Sequence, residues 1–509
     1  MTVENRAQTA APMEVQPQEK TAKVTRIKWS MVAAGIILGL AAFFLFPDSL
    51  SLEGRGVVGI GVVMAFWWMT EAVPIEATSL LPLILFPVTG IAPISEAAAP
   101  YANSVIYLVL GGIVLGLATQ RWNLHRRVAL LIILAVGTKP SQIVFGLMLA
   151  SAFITMWVSN TATAVIMVPI GGAILALINS LEGSKVTPKL AASMLLGIAY
   201  SVTIGSMATL IGQPPMALMK AYLGDNYNVE IGFGQWMLVG VPFAAFMMFA
   251  SWLVLTKLVF RSEVAEIPGG KEIMRTELAK LGGLTTQEKR VIAIFLGAAF
   301  CWIFLPFIAE IPAVAAAAPF LVNFNDTSIA ITAALLCFIV PGDKVANGPL
   351  LEWSATKEVP WGLLILFGGG LSLSDQFTST GLSEWIGDSV GGLAGVPTLL
   401  LMVIAIILLV ILTELTSNTA TAAAFLPIMT AVGVGLGIDP LVMAIAVTLA
   451  VSGSYMLPVG TPSNAVAFAV GDVSMRNMMR GGLWLNIISI VTIPVVLMTL
   501  VPLVFGVGL

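Results

Sequence analysis

The chain has 509 residues, 58% of them hydrophobic and 10% charged, with a formal net charge of -3. That composition excludes a soluble domain and fits a polytopic membrane protein, so the bilayer is the solvent to reason in. Cys301 and Cys337 lie in apolar runs and read as core thiols, so neither a disulfide framework nor a metal cluster is offered.

Residues 1–28 are polar and of mixed charge, with no apolar run ahead of a cleavage site, and read as a disordered cytoplasmic tail. Stretches of the roughly 20 apolar residues that a spanning helix needs follow near 29–46, 56–73, 77–93, 101–120, 190–219, 233–259, 290–308, 327–341, 360–377, 440–470 and 482–506. These predict eleven crossings. Two further apolar stretches, 140–178 and 398–435, hold the same hexapeptide SNTATA in their middles, at 159–164 and 417–422. Each is too polar at its centre for a simple span and fits a re-entrant helix hairpin, whose exposed backbone is tolerable only where it lines a cavity.

With the N-terminus inside, only Arg55 and Lys220 of the 24 basic residues fall outside, as the positive-inside rule requires. The polar stretch 261–289 divides the chain into a first repeat, 29–260, and a second, 290–509, and reads as a cytoplasmic linker, partly amphipathic. Three blocks recur in order: LGGIVLGL at 110–117 with FGGGLSLS at 367–374, SNTATA, and GSMATLIGQPP at 205–215 with GSYMLPVGTPS at 453–463. The offset falls from 258 to 248, a change absorbed by a longer loop around LEGSKVTPKL. Five crossings per repeat is an odd number, so the copies are expected to be inverted, with one hairpin entering from each side.

Inverted hairpins bring both SNTATA tips together beside the breaks IGQPP and VGTPS. Glycine and proline there free backbone carbonyls, which attract cations, and amides, which attract anions. Ser159, Asn160, Thr161 and Ser417, Asn418, Thr419 add neutral oxygens suited to a hard monovalent cation, and donors suited to a carboxylate. Every lysine and arginine is placed in a loop or at a helix end, so a bound dianion is neutralised only by dipoles and co-bound cations. That is a physical reason to expect anion transport coupled to sodium. A single SNT is equally well an N-cap; two copies at matched repeat positions point to a site. Glu414, whose repeat counterpart is Met156, reads as a brace for its hairpin. Glu71 and Glu76 read as structural residues flanking a helix break, and His125 as interfacial at a cytoplasmic helix end.

At these residues, and at LGLATQRWNLHRRVAL, TEAVPIEATSLLPL and WGLLILFGGGLSL, the chain resembles the divalent anion/sodium symporters, the INDY-like dicarboxylate and citrate transporters. The resemblance implies an all-α elevator-type transporter, a homodimer in the cell membrane. It implies sodium held by Thr155, Ser159, Asn160 and Gly212 and by Thr413, Thr416, Asn418 and Gly460, and a dicarboxylate held by Asn160, Thr161, Asn418, Thr419, Thr461 and Pro462. At one break this chain departs from the family: Gln213 stands where relatives often have a small hydroxyl residue, and Met216 where they have asparagine. The longer amide is expected to fill part of the pocket or donate to a carboxylate. The expected activity is import of C4-type dicarboxylates with sodium; the rival within the family is a sodium-independent exchanger, and citrate or sulfate are alternative cargoes. An intramembrane enzyme would need a nucleophile or metal ligands on the spans, a channel would not need two occluding halves, and no nucleic-acid partner is expected.

Overall fold

The computed structural model describes residues 28–137, 139–180, 187–261, 270–342, 348–393 and 395–508. The tail up to residue 27 and part of the loop around LEGSKVTPKL lie outside the described residues. Among those described the chain is helical throughout, and seven helices are long and apolar enough to cross a bilayer. Burial orders them as lipid solvent demands. The stretch Pro188–Ser206 is 94% buried and stands at the centre, whereas Thr286–Ala309 is only 22% buried and presents Leu296, Phe300, Phe304 and Phe307 outward. An outward apolar face is stable here because the surroundings are hydrocarbon.

The re-entrant stretches fold as two helix pairs with short polar tips. Pro140–Thr155 and Asn160–Ser180 form the first hairpin; Thr398–Thr413 and Asn418–Gly435 form the second. Tips end helices at matched residues because Ser159 and Ser417 sit outside the helical backbone, while their carbonyls accept from Thr163 and Thr421 and start the next helix. The predicted spans 190–219 and 440–470 are each interrupted, into Pro188–Ser206 and Pro214–Tyr227, and into Pro440–Ser452 and Pro462–Ala469.

Two expectations need correction. The span at 77–93 is not one helix but two short ones, Ile75–Thr78 and Pro82–Thr89, because Pro82 lacks an amide and the intervening turn is used for packing. Tyr101 donates to the Ser79 carbonyl, and Gly369 lies so close that a β-carbon there would stand 2.3 Å from that same oxygen. Second, the segment after WNLHRR is a helix, Leu124–Val136, and its repeat counterpart is Leu382–Ser389. The first is too short to read as a span and too apolar to read as a loop, and the second, LSEWIGDS, carries Glu384 and Asp388 and reads as part of a loop. His125, beside Arg126 of a helix-end ion pair, is buried, with Nδ1 3.1 Å from the Thr119 carbonyl.

Polar contacts collect helix ends into two sets. In the first, Lys28 Nζ donates to the Thr70 carbonyl (3.0 Å), Arg121 meets Glu352 (3.0 Å), Arg126 meets Glu277 (2.7 Å), and Arg290 donates to the Pro341 carbonyl (2.5 Å). In the second, Asn103 donates to Asp225 (2.6 Å), Thr378 to Asn226 (2.7 Å), and Trp385 to Ser49 (2.9 Å). Helices Leu52–Thr70, Ser104–Arg121 and Trp361–Ser379 each run between these sets.

The linker is tied to the first set by one buried ion pair. Described from residue 270, it forms the helix Gly270–Lys280, then a turn, then the capping box of Thr285 and Glu288. Arg127, on Leu124–Val136, reaches Glu288 Oε1 at 2.7 Å and also donates to the carbonyls of Leu281, Gly282 and Gly283. Removing one partner of a buried pair leaves the other uncompensated, at a cost of about 3–5 kcal/mol. Arg127→Ala is therefore expected to lower the melting temperature of detergent-solubilised protein, and adding Glu288→Gln to recover part of the loss; an unchanged melting temperature would show the pair to be dispensable.

Candidate functional site

The two tips and the two breaks line one cleft of about 1580 Å³. It is larger than an enclosed small-molecule pocket, as a cleft open on one side should be. From the first half come Ser159, Asn160, Thr161, Gly212, Gln213 and Pro214; from the second, Thr416, Ser417, Asn418, Thr419, Gly460, Thr461 and Pro462. Thr155 and Thr413 are buried outside this lining, each donating to the asparagine of its own tip. Thr155 Oγ1 donates to Asn160 Oδ1 at 2.8 Å, and Thr413 Oγ1 to Asn418 Oδ1 at 2.6 Å. At the second tip the amide is oriented by the Ser452 carbonyl, which can only accept and so takes Asn418 Nδ2 (3.3 Å), leaving Oδ1 to face Thr413.

Glycine at the breaks is required by close backbone approach. A β-carbon on Gly212 would lie 2.4 Å from the Ser206 carbonyl oxygen, and one on Gly460 would lie 1.8 Å from Ser454 Oγ. The two glycines and the two serines occupy equivalent repeat positions, so each break folds back on the end of its preceding helix.

The freed backbone is held differently in the two halves. In the first, Thr209 Oγ1 donates to the Met156 carbonyl at 2.5 Å and accepts from Gly212 N at 3.1 Å. In the second, Glu414 supplies the tie. Its carboxylate accepts from the amides of Tyr455 (2.8 Å), Met456 (3.0 Å) and Leu457 (3.2 Å), from Ser454 Oγ (3.0 Å) and from Asn486 Nδ2 (2.8 Å). This supports the brace reading of Glu414, and specifies it: the side chain clamps the break rather than the hairpin. Asn464 adds a second brace, donating to the carbonyls of Ser454 and Leu457, where its counterpart Met216 is buried and can donate nothing.

Gln213 lines the cleft, while its amide is engaged by the protein. It is buried, with Oε1 accepting from Ser206 Oγ (2.8 Å) and Nε2 donating to the Ser452 carbonyl of the other half (3.2 Å). Its amide is spent inside the protein. Thr461, in the matching place, stays local: it faces Ser463 Oγ at 3.1 Å and caps Asn464 N at 3.3 Å.

Several cleft residues were missed or misjudged in the sequence. Glu71, Gln120, Lys357 and Glu358 line the same wall, and Lys357 in particular is nearer the site than its assignment to a loop implied. Glu71 follows the end of Leu52–Thr70 in a left-handed conformation (φ 47°), a place that favours glycine or asparagine and signals a constrained turn. A sequence reading had only its position beside a helix break to suggest this.

Glu414→Gln would turn an amide toward donors and leave at least one of them unmet, a loss of about 2–3 kcal/mol for a buried charged acceptor. The expected result is a protein with a lower melting temperature whose segment 453–461 exchanges amide hydrogen faster; unchanged exchange there would remove Glu414 as the clamp.

The family model described as the sodium:sulfate symporter transmembrane region matches residues 25–506. The chain is 40% identical over 483 residues to the sodium-dependent dicarboxylate transporter SdcS of Staphylococcus saprophyticus subsp. saprophyticus, covering 93% of this chain and 92% of that one. It is likewise 40% identical over 485 residues to SdcS of Staphylococcus aureus strain USA300, with the same coverage of 93% and 92%. In fold it is similar to the YdaH transporter of Alcanivorax borkumensis (TM-score 0.55, 13% identity, 86% of this chain and 97% of that one). It is also similar to MtrF of Neisseria gonorrhoeae (TM-score 0.54, 14% identity, 92% and 93%). At those identities the structural likeness concerns architecture alone. The match along nearly the whole chain, at the residues that build the cleft, makes this protein a member of the sodium:sulfate symporter family of membrane transporters.

Proposed function

We propose that the protein is a sodium-coupled symporter that carries C4-type dicarboxylates, such as succinate, malate and fumarate, across the cell membrane by alternating access. One observation carries the reading: the SNT tips and helix breaks of both halves line a single cleft. Asparagine and threonine oxygens with freed carbonyls suit sodium, while amide and hydroxyl donors suit two carboxylates. Burying a dianion there without co-bound cations would be prohibitively costly. The names of the similar proteins, sodium-dependent dicarboxylate transporters matched end to end, point to the same cargo.

The inverted repeat is supported by where the hairpin ends sit. The start of the first hairpin joins the basic set of helix ends through the bond from Trp252 to the Ser141 carbonyl near the linker side. The second hairpin ends against Gly387, beside Trp385 of the opposite set. By the positive-inside rule the basic set is cytoplasmic, which also places the N-terminus inside. Lys357, Glu358 and Glu71 rim the cleft on that side, so we read the cleft as open to the cytoplasm. Elevator movement and a homodimer rest on the family resemblance.

Proteoliposomes with an imposed sodium gradient should accumulate labelled succinate, and the same vesicles in choline should not; uptake requiring only a preloaded counter-substrate would sink symport in favour of exchange. Asn160→Ala and Asn418→Ala should each abolish uptake while leaving the folded protein intact. In a thermal-shift screen, a dicarboxylate at about a hundred times its Kd should add about 2.7 kcal/mol of stability, and only with sodium present.

A further inference from the structure

The hydrogen bonds of the site form one continuous path between the two halves. It begins at Thr155 Oγ1, which donates to Asn160 Oδ1 (2.8 Å); Asn160 Nδ2 donates to Ser206 Oγ (3.3 Å), and Ser206 Oγ to Gln213 Oε1 (2.8 Å). Gln213 Nε2 then donates to the Ser452 carbonyl (3.2 Å). That carbonyl also accepts from Asn418 Nδ2 (3.3 Å), whose Oδ1 accepts from Thr413 Oγ1 (2.6 Å). The Ser452 carbonyl orients both amides that reach it, while the single proton of Ser206 is shared between Gln213 Oε1 and the Thr203 carbonyl (2.8 Å each) and that of Thr413 between Asn418 Oδ1 (2.6 Å) and the Val451 carbonyl (2.7 Å). Ser452 offers only a carbonyl, so the glutamine must turn its NH2 toward it, and its Oε1 is left to face the Ser206 hydroxyl.

Gln213 is the link in this path that crosses between halves. It joins Ser206, the last residue of Pro188–Ser206, to Ser452, the last residue of Pro440–Ser452. Thr461, its counterpart, makes no such reach. We infer that Gln213 is a positioning residue that couples the two cation sites, rather than a contact to the transported anion. The inference rests on the sodium-coupled reading above, and deepens it.

The physical argument is one of ordering. A cation that takes Asn160 Oδ1 fixes that amide, and through Ser206 and Gln213 it fixes the Ser452 carbonyl. Asn418 is held by that carbonyl, so the second cation meets an amide already in place and less ordering remains to be done. Coupling between sites commonly amounts to about 5–150-fold in affinity. A side chain without the amide breaks the path at its middle while leaving both ends intact, because Ser206 can still donate to the Thr203 carbonyl and Ser452 still accepts from Asn418.

Gln213→Met tests this, since it keeps length and bulk but removes both bonds. Sodium is titrated without anion, read by thermal shift against choline at constant ionic strength, and then with succinate, read by uptake. In the wild type both titrations should be cooperative. In Gln213→Met the Hill coefficient should fall toward one and half-saturating sodium should rise by about fivefold or more, and any rise in the half-saturating succinate concentration should be relieved as sodium is brought to saturation. Ser206→Ala should produce the same loss, and the double variant should add nothing further. Wild-type behaviour in Gln213→Met would reduce the glutamine to space-filling and overturn the proposal. So would a raised succinate requirement that saturating sodium cannot correct, which would make it an anion contact. If the wild-type protein takes up no dicarboxylate, the functional reading fails, and the sodium titration without anion still decides the coupling: a non-cooperative or absent response overturns it.

Discussion

Inside a bilayer every backbone polar group needs a partner from the protein itself, and the rest of this structure depends on how that demand is met at two broken helices. Breaking a helix frees carbonyls and amides that a transporter can offer to its cargo. The same groups would be ruinous if left bare. The first break is tied by a hydroxyl reaching from the break to the tip, Thr209 to the Met156 carbonyl; the second is tied by a carboxylate reaching from the tip to the break, Glu414 to three successive amides. The chain thus solves one problem twice, with the polar side chain on opposite partners.

The surrounding helices make that arrangement possible. A nearly fully buried helix, Pro188–Ser206, places the first break deep in the protein, while strongly apolar helices such as Thr286–Ala309 face the lipid. Charge is confined to the ends. Arg127 and Glu288 spend theirs holding the linker to a short helix, and Lys220 is neutralised by Asp326 at 2.7 Å, with both side chains only 10% exposed. The tips and breaks offer neutral oxygens and amides to the cleft, whose lining also includes Glu71, Lys357 and Glu358. Such neutral groups can hold a sodium ion and a carboxylate without the desolvation that a buried lysine would add, and an anion held there would depend on co-bound cations for its neutralisation.

Symmetry at the motif therefore conceals asymmetry behind it. Both tips pair threonine with asparagine in the same way. Behind them, Met216 replaces a donor that Asn464 provides, and Gln213 reaches across the molecule where Thr461 turns back on its own helix. The two halves can consequently share a cargo while differing in what holds each of them.

What the sequence determined by itself is what a local pattern can encode: apolar runs long enough to span, two over-long runs with polar centres, and repeat offsets that pair Ser159 with Ser417 and Gly212 with Gly460. The polar tips and the repeat pairing survive in the structure because the break at a proline or glycine is imposed by the backbone. Leu124–Val136 and Leu382–Ser389 were not legible, the first being too apolar for a loop and too short for a span, the second short and acidic enough to pass for a loop. Only the tertiary structure decided where long polar side chains spend their donors. Gln213 looks in sequence like a group aimed at a ligand, and the place of Glu414 as a clamp could not be distinguished from a hairpin brace. Their partners lie 239 residues away at Ser452, and about forty at Tyr455 and its neighbours, distances over which no spacing rule operates.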